Sequence, residues 1–277
     1  MYFAGIDVGS TITKVVITKE SEIISVVIHP TGAEHRRFTN MIMEKVLIDS
    51  GLSLDHLECI VATGYGRVNV PFSDRQVTEI TCHAKGVSWL FPDARTIIDV
   101  GGQDSKGIKV SNGKVQDFIM NDKCAAGTGR FLEVIAETLD IPLEKLGELS
   151  LRAKNPSQIS STCALFAEEE VTTLLAKGAN KNDIVAGIHR AVASRICAMV
   201  RRIGIEQDVV ATGGGARNTG LVSAIEDHLD TRILRPPEPL ITGALGAALI
   251  ARELVRDRRI EVRKDRRSLE ETTFFGG

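Results

Sequence analysis

Ile6-Asp7-Val8-Gly9-Ser10-Thr11-Ile12-Thr13-Lys14 and Ile98-Asp99-Val100-Gly101-Gly102-Gln103-Asp104-Ser105-Lys106 are two versions of one motif: I-D-V-G, three variable positions, then Ser or Thr and Lys. The second copy lies 92 residues after the first. Solenoid units repeat every 20–50 residues or so, roughly, and this spacing suits a duplicated lobe instead. Around the first copy, residues 2–17 read as two β runs joined by Gly9-Ser10-Thr11, and 22–29 continue as a third strand. A helix follows over 35–50 and stops before Gly51; next come a strand over 58–63 and a helix over 78–90, cut off by Pro92. Around the second copy the order begins again, with strands over 95–100, 106–110 and 115–120 and Asn112-Gly113 as a two-residue hairpin turn.

The rest reads as helices over 129–139, 141–149, 162–177, 182–203, 218–228 and 242–253, with strands over 208–212 and 231–234. Beyond Arg252 the chain alternates Arg with Asp and Glu, so 255–277 is expected to be a solvated helix extension or charged tail. The expected division is a first lobe of 1–94 with 241–254, a second lobe of 95–240, and that tail.

With 43% hydrophobic and 25% charged residues, 277 residues can bury a globular core. A formal net charge of -2 leaves no broad positive field, so neither nucleic acid nor an anionic membrane is expected as partner. Aromatics at 4% are too few for platforms that stack single-stranded bases. The most apolar window, 240–251, is about half of the ~20 residues a membrane helix needs. The start has no basic run before its apolar stretch and meets Asp7, so a cytoplasmic chain is expected. There, Cys59, Cys82, Cys124, Cys163 and Cys197 would be thiols or metal ligands. No C-x-x-C occurs, so any metal site must be assembled from distant residues.

The paired hairpins carry the chemistry. A Gly turn beside a strand lets backbone N–H groups and a Ser or Thr hydroxyl approach phosphate oxygens, and a nearby Asp can hold hydrated Mg²⁺. A single such turn is as easily only a hairpin; two matched copies point to a phosphate clamp. A third turn, Thr212-Gly213-Gly214-Gly215-Ala216-Arg217-Asn218, joins an apolar strand to a helix, where bare glycines would let adenine and ribose sit against backbone. Taken alone, it reads as a tight strand-to-helix turn without ligand. No G-x-x-x-x-G-K-[ST] exists, and Asn218 stands where a dinucleotide fingerprint needs its third Gly.

Gly5-Ile6-Asp7-Val8-Gly9-Ser10-Thr11 with Lys14, Ala62-Thr63-Gly64-Tyr65-Gly66-Arg67, Ile98 to Lys106, the run Met120 to Glu133 around Cys124, and Thr212-Gly213-Gly214 resemble the ATP-dependent activators (component A) of 2-hydroxyacyl-CoA dehydratases. ATPase subunits of benzoyl-CoA reductases are close relatives. The likeness covers about 4–251 and omits the tail. It implies an α/β fold of the actin, Hsp70 and sugar-kinase type, with two duplicated ribonuclease-H-like lobes and a nucleotide cleft between them. It also implies a [4Fe–4S] cluster on the two-fold axis of a homodimer.

The ligand count supports the same picture. Cys124 precedes an expected helix start near Gly127 or Gly129, and Cys163 follows the N-cap run Ser160-Ser161-Thr162. Thiolates and anions are favoured at helix N-termini. Two cysteines cannot complete a four-thiolate site, so a cluster held through Cys124 and Cys163 needs a second copy of the chain. Cys59 and Cys197 read as core, Cys82 beside His83 as packing, and His189 as a core or helix-surface residue rather than a base. Glu168, Glu169 and Glu170 read as a solvated face.

On this reading, ATP binding and hydrolysis drive one electron, taken from a ferredoxin or flavodoxin, to an acyl-CoA dehydratase or aromatic acyl-CoA reductase component. Asp7 and Asp99 would position Mg²⁺, and Ser10, Thr11, Ile12, Thr13 and Lys14 would hold phosphate. Gly101, Gly102, Gln103 and Asp104 would face the γ-phosphate, and Gly213, Gly214 and Gly215 would border the adenosine. Either Gln103 or Asp104 would orient the attacking water. The rivals are a small-molecule kinase of the same fold, with Asp7 or Asp104 as base, and a nucleotide-switched filament subunit. Neither needs thiols at two helix starts.

Overall fold

A computed structural model of the chain describes every residue other than 33, 122–126, 161–163, 263–268 and 270–277. Two compact units emerge: Met1–Pro92 with Asn112–Lys114 and the stretch from Leu240 onward, and Asp93–Ser111 with Val115–Pro239.

In the first unit, β1 (Tyr2–Val8), β2 (Ile12–Lys19), β3 (Glu22–Pro30), β4 (Leu57–Thr63) and β5 (Arg75–Gln76) form one sheet in the order β3-β2-β1-β4-β5. The short turn after Val8 forces β2 antiparallel to β1, whereas β4 returns parallel through a crossover that includes α1 (His35–Ser50). Both faces of β1 are covered. Ala4, Ile6 and Val8 pack with Phe38, Ile42 and Met43 of α1. Phe3, on the other face, packs with Ala247 and Ala251 of α8 (Thr242–Arg256). Strand β1 is therefore apolar almost without alternation. Small residues along α8 let it lie close to α2 (Glu79–Leu90): a Cβ added at Gly246 would strike the Cys82 carbonyl.

In the second unit, β6 (Thr96–Val100), β7 (Ser105–Ser111), β8 (Lys114–Asn121), β9 (Val209–Thr212) and β10 (Ile233–Leu234) are ordered β10-β9-β6-β7-β8. Again β6 pairs antiparallel with the strand after it and parallel with β9. The two sheets thus share one topology, the physical form of the repeated motif. The helices are α3 (Gly129–Leu139), α4 (Leu146–Leu151), α5 (Ala164–Ala176), α6 (Lys181–Val200) and α7 (Thr219–Leu229). Their core joins Ile98 and Val100 of β6 to Phe131 and Ile135 of α3, Val192 and Ile196 of α6, and Leu221 and Ile225 of α7.

Two expectations are corrected. The helix read over 141–149 is a 3-10 turn, Leu143–Lys145, after Pro142, followed by α4. The stretch after Val255 is not simply solvated: Ile260 and Val262 pack against the Phe3 cluster, and Leu269 against the α1 side of the same sheet. No helix among the described residues is long and apolar enough to cross a membrane.

Candidate functional site

Asp7 and Lys14 are directly opposite in the β1/β2 register, as are Asp99 and Lys106 in β6/β7. Opposed residues of an antiparallel pair share a face, so each hairpin closes on an ion pair. Lys14 Nζ lies 3.0 Å from Asp7 Oδ2; Lys106 Nζ lies 3.2 Å from Asp99 Oδ2 and 2.7 Å from Asp104 Oδ1. All but Asp104 are buried or nearly so, Lys106 at 2% exposure. The turns are closed alike, Gly9 N–H donating to the Ile12 carbonyl (3.2 Å) and Gly101 N–H to that of Asp104 (2.9 Å). Within the first turn, the amides of Ser10 and Thr11 find no backbone acceptor among the described residues. Thr13 is fully buried, its hydroxyl 2.9 Å from that of Thr31, so only its backbone is available to a ligand. Gln103 is exposed at the tip of the second turn.

The second hairpin also anchors a helix. Gly129 and Arg130, at the start of α3, donate their N–H groups to the Gly101 and Gly102 carbonyls at 2.8 Å each. Ser105 Oγ donates to the Gly127 carbonyl at 2.5 Å. The first residues of α3 are thus tied to the turn.

A second duplication lies behind the carboxylates. Ala62-Thr63-Gly64-Tyr65-Gly66-Arg67-Val68-Asn69 and Ala211-Thr212-Gly213-Gly214-Gly215-Ala216-Arg217-Asn218 share A-T-G-x-G-x-x-N, each leaving the strand parallel to the one that carries the Asp. Gly64 and Gly213 have φ of 86° and 80°. A Cβ on Gly64 would strike Asp7 Oδ1, and one on Gly213 would sit 2.5 Å from Asp99 Oδ1. Glycine is required twice over, by conformation and by space. Each motif's Asn meets a histidine: Asn69 Nδ2 lies 3.3 Å from His35 Nδ1, and Asn218 Nδ2 lies 3.0 Å from His189 Nε2. Asn218 Oδ1 also accepts from Leu221 N–H, capping α7. His189 is fully buried, and burial pulls its pKa down to about 3, so it stays neutral. Sequence reasoning treats the two stretches as unrelated turns, although the signal, eight positions at a constant offset, is present in the chain.

Cys124 and Cys163 lie outside the described residues. Cys59, Cys82 and Cys197 are fully buried; burial pushes the Cys82 thiol up to about 12 and that of Cys197 up to about 11, which makes both inert at neutral pH. Among the described residues, no group of three or more His, Cys, Asp or Glu side chains is arranged to hold a metal ion.

Residues 4–251 match the BadF/BadG/BcrA/BcrD ATPase family. The chain belongs to that family. Within it, the activator of lactoyl-CoA dehydratase from Anaerotignum propionicum is 47% identical over 260 residues, 91% of this chain and 98% of that protein. Crystallographic component A of the Acidaminococcus fermentans (R)-2-hydroxyglutaryl-CoA dehydratase superposes with a TM-score of 0.90 at 44% identity, covering 92% of this chain and 99% of that one. The activator of the 2-hydroxyisocaproyl-CoA dehydratase from Clostridium difficile, with bound ADPNP, gives 0.89 at 44% identity, covering 95% and 98%. At the level of fold alone, a ROK hexokinase from Thermus thermophilus matches with a TM-score of 0.51 at 17% identity, over 93% and 100%. This BadF/BadG/BcrA/BcrD member therefore has the actin, Hsp70 and sugar-kinase fold that its motifs implied.

Proposed function

We propose that the chain is an ATP-hydrolysing one-electron donor that activates a 2-hydroxyacyl-CoA dehydratase, or an aromatic acyl-CoA reductase, as a homodimer bridged by a [4Fe–4S] cluster. The observation that carries this reading is the trio of hydrogen bonds that join Gly127, Gly129 and Arg130 to the second hairpin, Ser105 donating to the Gly127 carbonyl and the other two amides donating to the turn, since α3 starts five residues after Cys124. A change in that turn on ATP binding would pull directly on the segment bearing the thiol. The 44–47% identity to named dehydratase activators supports the dehydratase as partner.

The first hairpin fits a phosphate chain: the amides of Ser10 and Thr11, which meet no backbone acceptor among the described residues, can donate, and Lys14 with the backbone of Ile12 and Thr13 closes the turn. Asp7 and Asp99 would hold Mg²⁺ through its water shell. Gly101 and Gly102 would border the γ-phosphate. Asp104 is held by Lys106 at 2.7 Å, and either its carboxylate or the amide of Gln103 would orient the attacking water. Gly213, Gly214 and Gly215 would lie along the adenosine.

Cys124 and Cys163 from each of two copies would supply four thiolates to the cluster, which when bound provides a one-electron store. Neither α3 nor α5, which begins directly after Cys163, carries an acidic residue in its first turn. No carboxylate in either first turn competes for an anion there; in α3 the Gly129 and Arg130 amides are taken by the second hairpin, so an anion would be favoured by the helix dipole rather than by those two N–H groups. Phe118 and Met120 on β8, and Leu165 and Phe166 on α5, flank those cysteines in sequence and are 39–68% exposed, apolar surface suited to a second copy or the dehydratase. A ferredoxin or flavodoxin would supply the electron, in a cytoplasm that keeps thiols reduced.

The test is purification without oxygen, followed by iron analysis and visible spectroscopy. About four irons per two chains and a brown colour are expected. A colourless, iron-free protein that still hydrolyses ATP would overturn the electron-donor reading.

A further inference from the structure

The two A-T-G-x-G-x-x-N turns share a backbone but differ in what they present. Where the second has Gly214 and Ala216, the first has Tyr65 and Arg67. Tyr65 is 77% exposed and Arg67 is half-buried. Bare glycine and alanine suit a flat, uncharged base and ribose; a guanidinium suits an anion.

Arg67 is held in the neighbourhood of Asp7 through one residue. Its Nη1 donates to the Gly64 carbonyl at 3.0 Å, while the Cα of Gly64 is pressed against Asp7 Oδ1 so closely that no Cβ fits between them. The buried Cys82 thiol of α2, raised chiefly by burial, is pushed further up by the Asp7 carboxylate and drawn back by the Arg67 guanidinium, so both charges reach one point. Lys14 is committed to Asp7, and that pair is neutral as a unit. The remaining N–H donors of Arg67 meet no acceptor among the described residues. A phosphate seated on the Ser10 and Thr11 amides would stand beside a buried carboxylate, where Mg²⁺ would offset part of the charge and a guanidinium could meet the outer oxygens that the ion leaves.

We propose that the Gly64–Arg67 turn is a second phosphate-binding turn, in which Arg67 donates from its guanidinium to non-bridging oxygens of the terminal phosphoryl group of ATP. This rests on the nucleotide reading above and adds to it a residue with which the phosphate makes contact. In hydrolysis, water adds to the γ-phosphorus as the bond to the β–γ bridging oxygen breaks, releasing ADP, inorganic phosphate and a proton. Arg67 stabilises the charge on the oxygens during that transfer.

The experiment compares wild type with Arg67→Gln and Arg67→Lys, as full-length holoprotein prepared without oxygen. Affinities for ADPNP and for ADP are measured by calorimetry, steady-state ATP hydrolysis by phosphate release, and folding by thermal unfolding without nucleotide. Arg67→Gln should weaken ADPNP about tenfold more than ADP and slow hydrolysis about a hundredfold or more, with the unfolding midpoint and iron content unchanged. Arg67→Lys, which keeps the charge and loses the fork, should fall between. If Arg67→Gln does not fold, Arg67→Lys decides by the same two ratios. A variant that keeps the wild-type ratio of ADPNP to ADP affinity and hydrolyses within about twofold of wild type would overturn the assignment. Wild type that binds and hydrolyses ATP while the variants match it sinks the Arg67 role alone. Wild type that binds no nucleotide sinks both readings.

Discussion

Lys106 is an ammonium group at 2% exposure that serves two carboxylates, Asp99 and Asp104. Removing one partner of a buried ionic group leaves charge without compensation, so Lys106→Met should lower stability by about 3–5 kcal/mol, measured by urea unfolding. Lys14 is less buried, and Lys14→Ala should instead reduce nucleotide affinity while iron content stays intact. His189 makes a prediction about pH. Its pKa is depressed in the fold to about 3, against about 6.5 unfolded, so its contribution is fully present above pH 6.5 and is lost as pH falls toward 3. Between pH 7 and pH 5 this amounts to about 2 kcal/mol. His189→Gln, still able to accept from Asn218, should shrink that pH dependence by the same amount in denaturant titrations; an unchanged pH profile would show that another group carries it. The matched Asp and Lys positions were legible in the sequence, read as Mg²⁺ and phosphate contacts; that they pair with each other follows from hairpin register, which fixes the face. His189 was legible only as a core or helix-surface residue, because its partner lies 29 residues away in a turn with no periodic link to α6.

Among the turns and helices, the two positive-φ glycines are the most constrained positions. Gly213→Ala should lower stability by about 1–2 kcal/mol from backbone strain, plus the clash with Asp99, and weaken nucleotide binding. Ser105→Ala tests whether α3 transmits the state of the hairpin. Nucleotide affinity should stay within about twofold, since Ser105 faces Gly127 rather than the turn's mouth, while the ADPNP-induced change in cluster absorbance or chelator sensitivity shrinks. Equal responses in variant and wild type would remove that hydrogen bond from the coupling. Most strands and long helices could be read directly from periodicity. The two-residue β5 and the break at Pro142 could not, because elements this short are made by their neighbours rather than by their own pattern.

For the assembled protein, Cys163→Ser should abolish iron binding and weaken dimerisation in analytical ultracentrifugation while ADP affinity stays within a few-fold. Retention of the visible spectrum would contradict the ligand assignment. The repeat of strand order in two units is a statement about ancestry written as topology: β3-β2-β1-β4-β5 in one, β8-β7-β6-β9-β10 in the other. The charged C-terminal stretch shows the limit of composition as a guide, since Ile260, Val262 and Leu269 find apolar surface despite the charges around them. From the amino-acid order alone came the duplicated hairpins, their matched Asp and Lys positions, the core cysteines and the family, because these are written in local alternation, turn residues and unbroken motifs. The fold alone decided that Gly64 and Gly213 abut Asp7 and Asp99, that two Asn–His contacts back the glycine turns, and that α3 hangs from the second hairpin. Each of these joins segments distant along the chain, and which distant surfaces meet is chosen by packing of the sheets and helices, a collective outcome that no local pattern encodes.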